Sequence, residues 1–352
     1  MTGGVHQVLA GMAERDAISN HVLAAQQVIR DMGLRSEIFV DRAHIAAEVA
    51  GRVYAHDDWD RRATPDDLAI LHYSIDSEAF QHVLERAPIS AIHYHNVTPP
   101  ELLWRDMPHL AAQCRDGRDH LTTFAGRISR SAADSDFNAH EMEAAGLPRA
   151  TVVGILRQPL AIPHTRPVPD GPLRMLFVGR GVPNKCQHDL ILATGALIEN
   201  GVDAELRLIG SWGGSRAYLE RCRRLIRSLH LDGQVVILDS VDDRQLAMEY
   251  ATADVFVCLS EHEGYCVPLL EAMAADLPIV AFNAGAVPET LGNAGLVLDD
   301  KAPSVVAEAV NAVRDGALAA QMRDGRISQV NHHSAGATAA RLRSFVEDFA
   351  QC

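Results

Sequence analysis

Two glutamates with seven residues between them, Glu263 and Glu271, lie in the segment SEHEGYCVPLLEAMA from Ser260 to Ala274. Pro268 suits the first turn of a helix, where its missing N–H is not needed, so Gly264, Tyr265, Cys266 and Val267 fall in or beside the loop at the positive helix end. Backbone N–H groups there can hold phosphate oxygens. A carboxylate on either side of such a pocket is a natural acceptor for paired sugar hydroxyls, because charge-assisted hydrogen bonds are the stronger kind. On spacing alone a plainer reading stands beside this one: Glu271 favours the helix start and Glu263 is solvated. A second segment, MLFVGRGVPNKCQ from Met175 to Gln187, reads as strand, glycine turn and helix, with Gly179, Arg180 and Lys185 in the turn. Two fixed cations can neutralise the charge that grows on a departing diphosphate, with no metal ion required. A surface turn with two solvated cations has the same sequence. The chain holds only two lysines, Lys185 and Lys301, and otherwise uses arginine, which favours a chemical reason for Lys185.

A third stretch, AIHYHNVTPP from Ala91 to Pro100, ends an apolar run in polar residues, where an open α/β sheet presents its ligand-facing strand ends. His93 and His95 alternate onto one strand face, with His93 the more buried, and Asn96 follows them. Histidines in such places are structural more often than functional, so both readings of His95 stay open. In GMAERDAISN, from Gly11 to Asn20, Asp16 reads first as a helix cap and secondarily as an acceptor-side residue.

The first two segments resemble the retaining glycosyltransferases of family 4, which have the GT-B architecture, and the resemblance covers nearly the whole chain. The family's carboxylate pair falls on Glu263 and Glu271, and its phosphate clamp on Gly179, Arg180 and Lys185. The resemblance implies that Glu263 contacts the donor sugar, that Glu271 contacts the ribose, and that His95 faces the donor sugar from the N-terminal domain. It implies that DSVDDRQL, from Asp239 to Leu246, meets the nucleobase through Ser240 and Val241, although a plain capping turn fits these residues equally. The sequence departs from the commonest form at Cys266, where such proteins usually carry glycine, and near the N-terminus, where Gly3 and Gly4 precede the first strand instead of lying in the loop after it.

These residues need a sheet whose loops gather at one edge. The C-terminal half alternates short apolar β-branched runs with helical patterns, the signature of a parallel sheet. Strands are expected at Met175–Val178, Glu205–Ile209, Val235–Leu238, Val255–Leu259, Ile279–Ala281 and Leu296–Leu298, with helices near Cys186–Glu199, Ser215–Leu229, Asp243–Ala251, Pro268–Ala274 and Ser304–Val313. The N-terminal half repeats the rhythm, with strands near Val5–Leu9, Ser36–Val40, Leu68–His72, Ile89–Tyr94, Thr122–Phe124, Ala132–Ala133 and Thr151–Val153. Its helices fall at Ile18–Met32, Ser77–Glu85, Pro99–Arg115 and Asn138–Ala145. The stretch from Arg157 to Pro172 holds five prolines and no periodicity, as a linker does. The expected fold is α/β of GT-B type: two Rossmann-like doubly wound domains, 1–157 and 173–335, facing a central cleft. Residues 158–172 join them, and an amphipathic helix at 336–352 crosses back to the N-terminal domain.

With 352 residues, 47% of them apolar, the chain is long enough for two cores. A net charge of −14 disfavours nucleic acid and anionic membranes, and the basic cluster Arg221, Arg223, Arg224 and Arg227 reads as a solvated helix face. Six cysteines lack CxxC or CxxH spacing, so neither a metal site nor disulfides are expected. No apolar run approaches a membrane span and no leader is visible, which gives a cytoplasmic location by default. The expected activity is retaining transfer of a hexose-type sugar from a nucleoside-diphosphate sugar, with UDP or GDP as nucleotide and no cofactor, to a hydroxyl of a saccharide, natural product or other small acceptor. The alternatives are a phosphorylase or sugar-nucleotide epimerase of the same architecture, or a noncatalytic nucleotide-sugar-binding subunit.

Overall fold

The computed structural model describes residues 3–14, 16–87, 89–163, 171–314 and 316–351. The chain divides into two compact units, one made of Met1–Pro99, Ala112–Gln158 and His333–Cys352, the other of Pro100–Ala111 and Pro159–His332.

The first unit is built on seven strands: β1 (Val5–Leu9), β2 (Ile38–Val40), β3 (Tyr54–Ala55), β4 (Leu68–Tyr73), β5 (Ser90–Tyr94), β6 (Arg130–Ala133) and β7 (Ala150–Val152). They pair in the order β3-β2-β1-β4-β5-β6-β7, all in parallel. The early helices are α1 (Ala17–Asp31), α2 (Trp59–Arg62), α3 (Glu78–Leu84), α4 (Pro108–Leu121) and α5 (Asp136–Ala144). In the second unit β8 (Leu173–Val178), β9 (Ala204–Ile209), β10 (Val235–Leu238), β11 (Val255–Cys258), β12 (Ile279–Phe282) and β13 (Leu296–Leu298) form a parallel sheet of order β10-β9-β8-β11-β12-β13. Its helices are α6 (Gln187–Glu199), α7 (Arg216–Ser228), α8 (Asp243–Thr252), α9 (Val267–Ala274), α10 (Val287–Leu291), α11 (Pro303–Ala312) and α12 (Gly316–His332). The last helix, α13 (Ala335–Ala350), sends Leu342, Phe345, Val346 and Phe349 into one core with Val5, Ile29 and Ile70 of the first unit. Both sheets reverse strand order beside their first strand, at β1/β4 and at β8/β11, and loops leaving the carboxyl ends at such a point frame a ligand crevice.

Two expected elements are corrected. Thr122–Phe124 is a 3-10 turn, not a strand, because Thr122 and Thr123 donate their hydroxyls to the carbonyls of Asp119 and His120 and tighten the end of α4. The single helix expected over Pro99–Arg115 is a 3-10 turn at Pro100–Leu102 followed by α4 from Pro108, since the residue before a proline is driven out of the helical region. The two-residue strand β3 and the helices α10 and α12 carry no periodicity strong enough to have been expected. In the proline-rich stretch, residues 164–170 lie outside those described, as does Cys352.

Candidate functional site

Adjacent parallel strands β8 and β11 deliver two loops to one place. After β8, Gly179 passes into a turn held by Gln187, whose side-chain amide donates to the Arg180 carbonyl at 2.8 Å. A 3-10 turn over Pro183–Lys185 then leads to α6. After β11, residues 259–266 lead to α9. The Glu261 amide donates to the Asn184 carbonyl at 2.8 Å, so the two loops are stitched through backbone. Lys185 Nζ then donates to Glu263 Oε2 at 2.7 Å, with only 21% and 8% of the two side chains exposed. Burial works against the lysine charge, but the acidic groups around it, Glu263 first and then Cys266 and Cys258, together outweigh burial and hold the pKa above the ordinary lysine value. The ammonium is therefore charged throughout the neutral range, and its pairing leaves other N–H donors on the same nitrogen. The Arg180 side chain is exposed and makes no ion pair among the described residues.

Glu263 owes its place to a third loop. Its carbonyl accepts from the Ala286 amide at 2.8 Å, and Gly285, with φ +56°, lies so close that a β-carbon there would stand 2.3 Å from that carbonyl oxygen. Only glycine allows this approach. Tyr265 is likewise strapped, its carbonyl accepting the Thr290 hydroxyl at 2.7 Å. Cys266 is the N-cap of α9 and sits in the left-handed region at φ 66° and ψ 66°. A glycine at this position would be unstrained, whereas the cysteine holds the left-handed conformation at a cost. Pro268 follows in the first turn and has no amide to offer, and the Leu269 amide donates to the Cys266 carbonyl at 3.0 Å, so of the first three residues of α9 it is Val267 that presents its N–H at the helix start. Glu271 accepts from the hydroxyl of the fully buried Tyr250 at 2.8 Å.

Of the residues singled out in sequence, Gly179, Arg180, Lys185, Glu263, Gly264, Tyr265, Cys266 and Val267 thus fall on the β8 and β11 loops and the start of α9, whereas Glu271, expected in the first turn of that helix, lies in its second turn because α9 begins at Val267. Ser240 and Val241 lie on the separate loop between β10 and α8, where Asp242 caps α8 by accepting from the Gln245 amide at 2.7 Å. In the first unit Asp16 caps α1, accepting from the Ser19 amide at 2.8 Å. Asn96, at φ 76°, donates to Asn138 and Glu141 at 2.7 and 2.8 Å and so anchors the end of β5 to α5. His95, expected at a ligand-facing strand end, has a wholly enclosed side chain. Its Nδ1 lies 2.9 Å from Asp134 and its Nε2 lies 2.9 Å from His72 Nδ1, so both ring nitrogens are engaged inside the unit.

Sequence reasoning missed Tyr250 and Gly285, which lie outside both motifs, and Asn184, which lies inside the second segment but acts through its backbone carbonyl. It also missed His21, His72 and Asp134. The signal available for these was a histidine closing the apolar run LAILHY and an aspartate closing β6, each at a strand end beside His93 and His95. Arg223, Arg224 and Arg227 on α7 are exposed, and Arg221 pairs with Asp106 at 3.0 Å. Burial pushes the Cys186 and Cys222 thiols up to about 12, which keeps both protonated. Among the described residues no helix is long and apolar enough to cross a membrane.

Residues 161–325 match the model of the family described as glycosyl transferases group 1. Over 242 residues the chain is 29% identical to D-inositol 3-phosphate glycosyltransferase of Corynebacterium glutamicum, an alignment covering 67% of this chain and 55% of that protein. Over 145 residues it is 34% identical to a GDP-mannose-dependent α-(1-6)-phosphatidylinositol monomannoside mannosyltransferase of Mycobacterium tuberculosis, covering 39% of this chain and 37% of that one. The chain spans about half the length of the curated relatives it matches first. Among solved structures, Anabaena HepE in complex with UDP and glucose superposes with a TM-score of 0.75 at 15% identity over 98% of this chain and all of that one. Sucrose-phosphate synthase of Thermosynechococcus elongatus does so with a TM-score of 0.76 at 15% identity over 99% and 100%. The fold is GT-B, two parallel-sheet α/β domains.

Proposed function

From the match of residues 161–325 to the glycosyl transferases group 1 model, we propose that the chain moves a hexose-type sugar from a nucleoside-diphosphate sugar to a hydroxyl acceptor, with retention at the anomeric carbon. The observation that carries the reading is the Lys185–Glu263 pair, which joins the β8 and β11 loops at the point where strand order reverses, in front of the α9 N-terminus. A charged ammonium, the Arg180 guanidinium and the positive end of α9 supply fixed positive potential for a diphosphate, so the site needs no metal ion for leaving-group charge. Glu263, oriented by Lys185, is placed to accept sugar hydroxyls, and Glu271, oriented by Tyr250, to accept those of the ribose. Ser240 and Val241 are assigned to the nucleobase.

In the transfer the bond from the anomeric carbon to the diphosphate oxygen breaks while a bond to the acceptor oxygen forms on the same face. The acceptor proton passes to the departing oxygen, so no side-chain nucleophile is required, and Glu263 positions and does not attack. His95 takes no part in this scheme, because its ring is enclosed and both nitrogens are engaged. The relatives' names favour GDP-mannose, and the UDP complex of a structural neighbour favours UDP. Either donor suits a metal-free clamp.

A thermal-shift screen of UDP, GDP, ADP, TDP and CMP, with and without EDTA, tests this reading. A ligand that binds only the folded chain raises the melting temperature as its concentration passes its dissociation constant. UDP or GDP should raise it equally with and without EDTA, and the Lys185→Ala protein should lose the shift and at least about tenfold in turnover, the equivalent of roughly 1.4 kcal/mol. No shift with any nucleotide, or a folded Lys185→Ala protein that turns over normally, defeats the clamp.

A further inference from the structure

Four histidines carried by three elements of the first unit meet in its interior: His21 on α1, His72 on β4, and His93 and His95 at and just after the end of β5. One nitrogen from each ring lies within 4.8 Å of one from each of the other three. All four residues are buried. Hydrogen-bond partners assign the ring protons. Gln7 donates its amide to the Val22 carbonyl at 3.0 Å, which turns its oxygen toward His72 Nε2 at 3.1 Å, so His72 carries its proton there and presents a lone pair at Nδ1. Asp134 accepts from His95 Nδ1 and from His93 Nε2, both at 2.9 Å, leaving lone pairs at His95 Nε2 and His93 Nδ1.

The consequence is a conflict that something must resolve. His72 Nδ1 and His95 Nε2 stand 2.9 Å apart, and both are lone pairs by this assignment. Two lone pairs at that distance repel unless a cation lies between them. A shared proton would satisfy those two nitrogens only. His93 Nδ1, fully buried, would still have no donor, and His21 Nε2, whose ring accepts the Leu156 amide at Nδ1 and so holds its proton at Nε2, would still have no acceptor. A metal ion that carries one oxygen ligand satisfies all of them, the ion taking the lone pairs and the oxygen the His21 N–H. We propose that the first unit holds a divalent transition-metal ion, zinc by preference, ligated by His72 Nδ1, His93 Nδ1 and His95 Nε2, with the His21 N–H donating to an oxygen ligand in the fourth position.

The chemistry of the donor set fits. Imidazole nitrogen is the ligand such ions favour, and zinc in tetrahedral coordination at about 2.0–2.1 Å sets its nitrogens roughly 3.3 Å apart. The 2.9 Å pair therefore opens by a few tenths of an ångström. Each ligand also has the outer partner that holds a metal-bound ring in one tautomer: Gln7 for His72, and Asp134 for both His93 and His95. Asp134 supplies a negative charge beside them. Burial pushes the pKa of His21, His72 and His93 below the ordinary histidine value, in the direction of the neutral ring a metal requires. Nothing in the proposed transfer uses this site, which would stabilise the first unit.

The test uses untagged full-length protein purified without chelating resin, stripped with a chelator, and then dialysed against Zn2+ or Co2+. About one equivalent should bind per chain and raise the melting temperature. Cobalt should show the intense visible bands of a tetrahedral ion, with no sulfur-to-cobalt charge transfer. His93→Gln should cut uptake at least about tenfold, the equivalent of roughly 1.4 kcal/mol. Cys258→Ser controls for the other close donor group, Cys258, Glu263 and Cys266, and should keep the full equivalent. Failure of the folded wild-type protein to take up either ion overturns the proposal. So does a sulfur charge-transfer band or loss of the ion in Cys258→Ser. The cobalt spectrum of the wild-type protein decides even if His93→Gln does not fold, and none of these readouts depends on sugar transfer.

Discussion

A cysteine in the left-handed region at φ 66° is an unusual choice for the cap of a helix, here the one proposed to receive a phosphate, and its cost can be measured. The left-handed conformation costs an L-residue about 1–2 kcal/mol, and a β-branched residue more, because its second γ-substituent crowds the backbone. Cys266→Gly removes the strain and loses a small buried thiol, whereas Cys266→Val keeps the volume and worsens the strain. The valine protein should therefore be less stable than the glycine protein by at least roughly 1 kcal/mol in chemical denaturation; equal stabilities would mean that the loop relaxes out of the left-handed region. At this scale the sequence was informative wherever a residue's type was itself rare. Lys185 stood out as one of two lysines, and the structure pairs it with Glu263 at 2.7 Å. His95 was misleading for the opposite reason. A histidine at a strand end reads alike whether its ring faces solvent or the interior, and the decision rests on Asp134 and His72, which lie 39 and 23 positions away.

Between elements, single atoms set the positions of whole loops. Gly285 belongs to neither of the site's motifs, yet its missing β-carbon lets the turn before α10 press against the Glu263 carbonyl. Gly285→Ala should destabilise the protein by about 2–3 kcal/mol, within the range for strain at a special backbone conformation, and should displace Glu263. Nucleotide-induced stabilisation should fall with it; unchanged melting and unchanged binding would show that the turn has room to move. In the first unit His6 on β1 performs a similar tie. Its Nδ1 accepts the Glu37 amide at 3.0 Å and its Nε2 donates to Asp67 at 3.0 Å, so a second ring proton would break the first bond. Burial lowers its pKa despite the Asp67 carboxylate. Below the unfolded value near 6.5 the unfolded chain therefore binds a proton that the native ring refuses, and stability falls as pH falls; above that value His6 contributes no slope. Asp67, whose pKa is also lowered, acts only near and below 3.8 and leaves this window clear. Between about pH 7.5 and 5.5 the denaturation midpoint should drop more in the wild type than in His6→Gln, and equal drops would remove His6 as a source. The strands that make these ties were legible because apolar β-branched runs announce themselves. Thr122–Phe124 was not, since a short β-prone run reads the same after a helix end as inside a sheet.

At the scale of the molecule, the first unit is not continuous in sequence. Its core gathers Val5, Ala25, Ile29, Leu68, Ile70 and Val153 from the N-terminal half, and closes them with Leu342, Phe345, Val346 and Phe349 from α13, nearly two hundred residues after β7. Arg341 adds a polar tie, its Nε donating to the Val153 carbonyl at 3.0 Å. The amphipathic spacing of that segment shows only that it must pack on something, because a helix stripe specifies an apolar partner without naming it, and the expectation that it crosses back to the N-terminal domain rests on more than the stripe. Four buried apolar side chains, at about 1.5–3 kcal/mol each, amount to roughly 6–12 kcal/mol, comparable to the whole stability of an ordinary domain. A fragment of residues 1–158 should therefore lack a cooperative unfolding transition, although it contains every strand of its sheet. Adding a peptide of residues 333–352 in excess should restore one, with a midpoint that rises with peptide concentration, as linkage requires of a partner that binds only the folded form. The same peptide carrying Phe345→Ala and Phe349→Ala should fail, since each truncation in a core costs about 3–5 kcal/mol. A fragment that melts cooperatively alone would show that the first unit's stability does not depend on the end of the chain.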